Sequence, residues 1–88
     1  MPDTPLLDVT IQTREDRVYK GQAQSVTSLN KTGRFDILPY HANFISLIEK
    51  YVILQEKDGS KKQFEIGIGV IRVEEDSVHI YLETQTTT

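Results

Sequence analysis

Apolar side chains in this chain recur at every second position far more often than at every third or fourth, the period of strands whose two faces meet different surroundings. Leu7, Val9 and Ile11 line one side of a strand from about residue 6 to 13, with Asp8, Thr10 and Gln12 on the other. The charged run Arg14-Glu15-Asp16-Arg17 reads as a turn. Val18 and Tyr19 then begin a second stretch, Gly21 punctuates it, and Ala23 to Leu29, rich in Ser, Thr and Val, continues it. Phe35 to Leu38 follows the turn Asn30-Lys31-Thr32-Gly33 and stops at Pro39, whose missing N–H predicts an edge strand or a bulge. Phe44 to Ile48 and Tyr51 to Glu56 are the densest apolar stretches, and their β-branched and aromatic content favours strands, with a helix left open only over 41–49. Lys57-Asp58-Gly59-Ser60 carries an Asp-Gly pair suited to positive φ, which predicts a hairpin leading into Gln63 to Ile68. Ile71 and Val73, the turn Glu75-Asp76-Ser77, and then Val78, Ile80 and Leu82 predict a second hairpin. Turns about every ten residues predict an all-β fold, a two-sheet β-sandwich or flattened barrel of about eight to ten short strands. Its ordered core is expected over about residues 6–83, with a frayed tail expected from Thr84 to Thr88.

With 88 residues and 10.1 kDa, residues 1–88 are expected to form one small domain. The chain has no Cys, which removes disulfides, thiolate metal sites and a cysteine nucleophile and leaves a hydrophobic core to hold the fold. A net charge of -3 and a pI near 5.3 argue against a phosphate-backbone binder, so nucleic acid is not an expected partner. No apolar run approaches the roughly 18 residues that span a bilayer, and the start of the chain lacks the basic and apolar regions of an export signal, so a soluble, cytoplasmic protein is expected. On that reading the sequon Asn30-Lys31-Thr32 is loop chemistry rather than a glycosylation site.

The residues alone show no assembled chemistry. His79 falls on the polar side of a strand alternation and reads as an ordinary surface residue. His41, in Leu38-Pro39-Tyr40-His41-Ala42, reads as a loop-ordering imidazole before a catalytic base, and it lacks partners at metal-ligand spacings. Gly67-Ile68-Gly69 lacks the third glycine and the helix of a nucleotide-binding loop, which leaves a bulge or a close-packing role. Glu74-Glu75-Asp76 reads as a solvated hairpin turn rather than a calcium site. No nucleophile-elbow sequence supports an esterase built on His41 and a serine. No catalytic residue, cofactor or metal is expected, and surface recognition outranks catalysis.

The segment Thr32-Gly33-Arg34-Phe35-Asp36-Ile37-Leu38-Pro39-Tyr40-His41-Ala42 resembles a signature of the epsilon subunit of F-type ATP synthases, usually Gly-Xaa-Phe-Gly-Ile-Leu-Pro-Gly-His-Ala. Val18-Tyr19-Lys20-Gly21 is similar to the family's Val-Tyr-Xaa-Gly, and Gly69-Val70-Ile71-Arg72-Val73 to its Gly-Gly-Phe-Xaa-Glu-Val. The resemblance spans residues 6–83 and implies the family's N-terminal sandwich of two β-sheets. Tyr40 and Asp36 stand where the family usually has glycine, Asn43 where it has proline, and Ile68 in place of one of the paired glycines. Because a bulky residue disfavours the left-handed backbone, the Tyr40 loop is expected either to take another path or to present an aromatic ring to a partner. The sequence ends where the family's C-terminal helical hairpin would start, so hairpin-based inhibition is expected to be absent, whether the chain is naturally short or truncated.

The resemblance implies a non-catalytic central-stalk subunit of the proton-translocating ATP synthase, coupling proton flow to ATP synthesis. It would belong to a peripheral complex on the cytoplasmic face of the energy-transducing membrane and be a monomer when isolated. Its implied partners are the gamma subunit and the c-ring loops. By position, Lys31, Arg34, Phe35 and Asp36 would face the c-ring, and Thr13, His41 and Ser46 would lie near gamma, with Phe35 alternatively a core residue. The competing reading is a free-standing domain that binds a small ligand in a concave, mostly apolar pocket.

Overall fold

The computed structural model describes residues 5–83, so the tail predicted to fray lies outside the described residues. Six strands follow one another, β1 (Leu7–Gln12), β2 (Arg17–Asn30), β3 (Gly33–Ile37), β4 (Phe44–Glu56), β5 (Lys61–Glu74) and β6 (Ser77–Leu82). They form one sheet in the order β1-β6-β5-β4-β2-β3, and β1 also pairs with β2, so that β1, β2, β4, β5 and β6 close on themselves. The β1–β6 pair is parallel and the other ladders are antiparallel. The all-β, flattened-barrel architecture is the predicted one. Of the residues left open as helix, 44–49 form the start of β4 and 41–43 lie in the connection before it.

The strand count differs from the expected eight to ten, for a physical reason. Segments read as separate are halves of three long strands bent at bulges. On β2, Ala23 pairs with both Leu7 of β1 and Glu56 of β4, and Gln24 then drops out of register, so the strand leaves β1 and continues against β3 and β4. Gly21 interrupts nothing, since it stays paired with Val9. Opposite the β4 residues Glu49 and Lys50, β5 pairs through Ile68 and Ile66, and Gly67 is the extra residue. Lys50 takes a φ of 76° at this corner.

The strands exist because their inward positions find one another. Leu7, Val9, Ile11, Ile71, Val73, Val78 and Ile80 are fully or almost fully buried on one side of the core, against Val26, Ile37, Val52 and Leu54 from the second halves of β2 and β4 and from β3. Burying each such side chain contributes about 1.5–3 kcal/mol. Gly69 is where packing excludes a side chain. A Cβ there would lie 2.9 Å from the Tyr81 carbonyl oxygen and 3.0 Å from Leu82 Cδ2. Both roles expected for the glycines in Gly67-Ile68-Gly69 are thus present, a bulge and a close approach.

The predicted turns form as expected. Gly59 takes a φ of 92°, and Asp58 Oδ1 accepts hydrogen bonds from Ser60 N–H at 2.9 Å and from its hydroxyl at 2.6 Å. The Ser60 hydroxyl, then its N–H, hold the Asp58 carboxyl below its ordinary range. In the β2–β3 turn, Asn30 Oδ1 accepts from the Thr32 N–H at 2.9 Å and hydroxyl at 2.7 Å. The segment after β3 closes a further turn, in which His41 N–H donates to the Leu38 carbonyl at 3.1 Å with Pro39 and Tyr40 at its centre. Proline followed by a residue at positive φ is the type II arrangement.

Candidate partner interface

The β2–β3 hairpin carries one group of predicted site residues. Lys31 is exposed at its turn, and Arg34 and Asp36 project outward from β3. The Thr27 hydroxyl on β2 donates to Asp36 Oδ1. Phe35 faces the other way. It is half-buried against the core, its ring 5.5 Å from that of Phe44, so the alternative core reading of Phe35 describes its position. The strand alternation therefore separates Phe35 from Arg34 and Asp36.

The second group, Thr13, His41 and Ser46, is not brought together. Thr13 lies beyond the end of β1, in the turn, where its hydroxyl oxygen accepts from Asp16 N–H at 3.0 Å and Glu15 N–H at 3.3 Å. His41 lies at the other end of β1 and β6, since the neighbouring Tyr40 N–H donates to Asp76 Oδ1 at 2.8 Å, and Asp76 in turn precedes β6. The parallel β1–β6 ladder, from Asp8–Ser77 to Gln12–Tyr81, separates the two loops. Ser46 sits on β4 with its side chain directed away from the outer face, accepting from Asn30 Nδ2 at 3.3 Å and donating to the Leu47 carbonyl at 3.0 Å.

His41 is committed to its loop. Its Nδ1 lies 2.7 Å from the Ala42 carbonyl oxygen, which can only accept, so Nδ1 carries the proton. The ring also meets Phe44 edge-on at 5.7 Å. Among the described residues no serine hydroxyl bonds to it, so no nucleophile and base pair forms. The carboxylates read as a solvated turn are likewise engaged, Asp76 with Tyr40 and Glu74 with Arg72 at 3.1 Å. His79 stacks on Tyr81 at the surface.

Tyr40 resolves the alternatives set by its bulk. It keeps the left-handed backbone, with a φ of 68°, and is 80% exposed. The Asp76 carboxylate and the Leu38–His41 turn hold the conformation, and the ring is presented to solvent.

A surface that the site predictions left out lies on the outer face of β4, β5 and β6. Leu47, Val70 and Tyr81 are register neighbours across these strands, Ile45 lies one step along β4 on the same side, and Ile68 one step along β5. Ile45 and Leu47 are 68% and 63% exposed, and Ile68 and Tyr81 are exposed beside them. With Arg14, Leu82 and Glu83, most of this row lines an open groove. The signal was present in the sequence, because Phe44-Ile45-Ser46-Leu47-Ile48 is apolar at both parities and so predicts a strand apolar on both faces. Contiguous exposed apolar residues of this kind mark interaction surfaces. Among the described residues no helix is long and apolar enough to cross a membrane, and no cluster of three acidic or histidine side chains is placed to hold a metal ion.

Comparison with known proteins agrees with the all-β fold. The ATP synthase epsilon chain of a Nitratiruptor species is 33% identical over 78 residues, covering 88% of this chain and 60% of that protein. That of Sulfurimonas denitrificans is 35% identical over 78 residues, covering 88% and 60%. The chain thus spans about six-tenths of the length of these relatives. A chain of the Euglena gracilis mitochondrial ATP synthase superposes with a TM-score of 0.82 at 16% identity, covering 92% of this chain and 53% of that one. A chain from the central stalk and c-ring structure of the Tetrahymena thermophila enzyme gives 0.71 at 13% identity, covering 89% and 63%; both show the shared fold. The family described as ATP synthase, Delta/Epsilon chain, beta-sandwich domain matches residues 6–87, and the chain belongs to it.

Proposed function

We propose that this chain is a non-catalytic part of the rotor of a proton-translocating ATP synthase, joining the gamma subunit to the c-ring in a peripheral complex on the cytoplasmic face of the membrane. The observation that carries the reading is membership of the delta/epsilon family across nearly all of the described residues. The row of exposed Ile45, Leu47, Ile68 and Tyr81 around the half-buried Val70 supports it, since a partner that covers the row removes about 25 cal/mol of unfavourable hydration for each Å² of apolar surface. The row is the anchor of the gamma side, flanked by Thr13 and His41 at its two ends, and Ser46 acts beneath it by fixing Asn30. The charged hairpin with Lys31, Arg34 and Asp36 is the c-ring side, with Phe35 bracing it from within. Torque then passes through a closed, bulge-cornered sheet, a stiffer body than a set of loops.

Calorimetric titration of the chain into the gamma subunit from the same source tests the assignment. One-to-one binding that Leu47→Glu weakens at least tenfold, and that Arg34→Glu leaves unchanged, is the expected result. Unchanged affinity for both Leu47→Glu and His41→Ala would refute the gamma side. The alternative of a free-standing ligand-binding domain predicts no gamma binding at all.

A further inference from the structure

The β3 strand is a free sheet edge. It pairs with β2 through Val26–Ile37, Ser28–Phe35 and Asn30–Gly33, with Thr27–Asp36 and Leu29–Arg34 between them, and among the described residues no other strand pairs with it. In a hairpin closed by a two-residue turn, the residues adjoining the turn form a hydrogen-bonded pair, and such pairs then alternate along the ladder. Gly33, Phe35 and Ile37 therefore commit their backbone groups to β2. The N–H and C=O groups of Arg34 and Asp36 point outward along the free edge.

Those two residues carry opposite charges two positions apart, and their side chains are exposed. Edge strands usually defend themselves with charges that repel a second copy. Here the pattern is self-complementary. If two β3 strands pair antiparallel about a twofold axis at Phe35, Arg34 of each faces Asp36 of the other. These are also the residues whose backbone groups are free, so the hydrogen-bonding register and the charge register coincide. The Thr27 hydroxyl occupies Asp36 Oδ1 only, which leaves Oδ2 for the guanidinium of a partner. A shift by two residues sets Arg34 opposite Arg34 or Asp36 opposite Asp36, which like-charge repulsion penalises.

We infer that the isolated chain forms a weak twofold dimer through the β3 edges, its register fixed by reciprocal Arg34–Asp36 pairs. This departs from the monomer expected from sequence. An edge of five residues buries less than a standard stable interface, so the dimer forms only at high concentration, with a dissociation constant on the order of 0.1–1 mM. It does not rest on the rotor reading. If that reading also holds, dimerisation occupies the hairpin proposed to meet the c-ring, and the two associations exclude one another.

Sedimentation equilibrium of the full chain from about 10 µM to about 2 mM tests the inference across that range. The expected result is a monomer–dimer equilibrium that Arg34→Asp weakens about tenfold, by turning both attractive pairs into repulsive ones. Asp36→Arg does the same, with circular dichroism to verify that loss of the Thr27 contact leaves the fold intact. The double variant Arg34→Asp with Asp36→Arg regains self-association, and an equimolar mixture of the two single variants forms a heterodimer tighter than either homodimer. A chain that stays monomeric throughout overturns the inference. So does a dimer unchanged by Arg34→Asp, or one that Leu47→Lys abolishes, which would place the contact on the apolar row.

Discussion

Replacing Tyr40 by glycine should make the domain more stable. Tyr40 occupies the third position of the Leu38–His41 turn at a φ of 68°, where a residue bearing a Cβ costs about 1–2 kcal/mol relative to glycine. Glycine recovers that cost but adds about 0.4–1 kcal/mol of conformational entropy to the unfolded chain. The ring is 80% exposed, so little burial is lost, and the hydrogen bond from the backbone N–H to Asp76 survives the change. The balance favours glycine by about 0.5–1 kcal/mol, which in a domain of this size raises Tm by about 2–8 °C. Tyr40→Ala is the control that separates the ring from the backbone. It removes the ring but keeps the Cβ, so its Tm should stay near that of the parent and below that of Tyr40→Gly. Thermal unfolding followed by circular dichroism at fixed protein concentration measures all three. If Tyr40→Gly is no more stable than Tyr40→Ala, the backbone at this position is unstrained and the reasoning fails.

Truncating Leu54, fully buried on β4 between β2 and β5, with Leu54→Ala should cost about 2–5 kcal/mol, read from urea unfolding midpoints at constant m. Gly69→Ala should destabilise by about 1–3 kcal/mol, because the obstacle to its Cβ is the backbone oxygen of Tyr81, which cannot rotate away as a side chain would. The Tyr19 hydroxyl is pushed above its ordinary pKa of 10.0 by desolvation, and further by its hydrogen bond to Glu56 at 3.2 Å and the charge of that carboxylate. A raised folded pKa gives stability that is fully present below the unfolded value and lost as pH rises through the folded one. Stability of the parent should therefore fall more steeply above pH 10 than that of Tyr19→Phe, measured by urea unfolding across that range; parallel curves would contradict the assignment.

How far the sequence reveals this fold depends on whether the controlling contact is local. The buried set Leu7, Val9 and Ile11 was legible because strand alternation is a property of neighbouring residues, and the Asp58-Gly59 turn because positive φ is a property of glycine. The length of the strands was not, because the decision to bend rather than break is made elsewhere. Gly21 and Gln24 stand in one polar stretch, yet Gly21 continues the ladder with β1 and Gln24 leaves it, and the difference lies in Leu7 and Glu56 meeting Ala23 from opposite sides. Tyr40 shows the same limit from the other direction. Its own preference argues against the left-handed backbone, and Asp76, distant in sequence, holds it there. The candidate sites divide along the same line. Lys31, Arg34 and Asp36 share a hairpin and could be grouped from sequence, whereas Thr13 and His41 are related only through the parallel pairing of β1 with β6, and Ser46 only through the pairing of β4 with β5, which no local signal encodes.

The bulges that hid the strand count also account for two outer surfaces of different character, one charged and one apolar. A straight, flat sheet would have one outer face and one core face. Because β2 turns at Gln24, its first half lies beside β1 and its second half carries β3, with Arg34 and Asp36 facing outward there. Because β4 and β5 turn at Glu49, Lys50 and Gly67, the halves beyond the corner join β6 and expose Ile45, Leu47 and Tyr81 on the other surface. Charge and apolar surface are thus sorted by the corners, and each surface is backed by the same buried core. Straightening the corner would uncouple them. Inserting a β-branched residue at Gly67, the extra residue on β5, should therefore perturb binding at the apolar row and at the charged hairpin together, whereas Leu47→Glu and Arg34→Glu should each affect one alone.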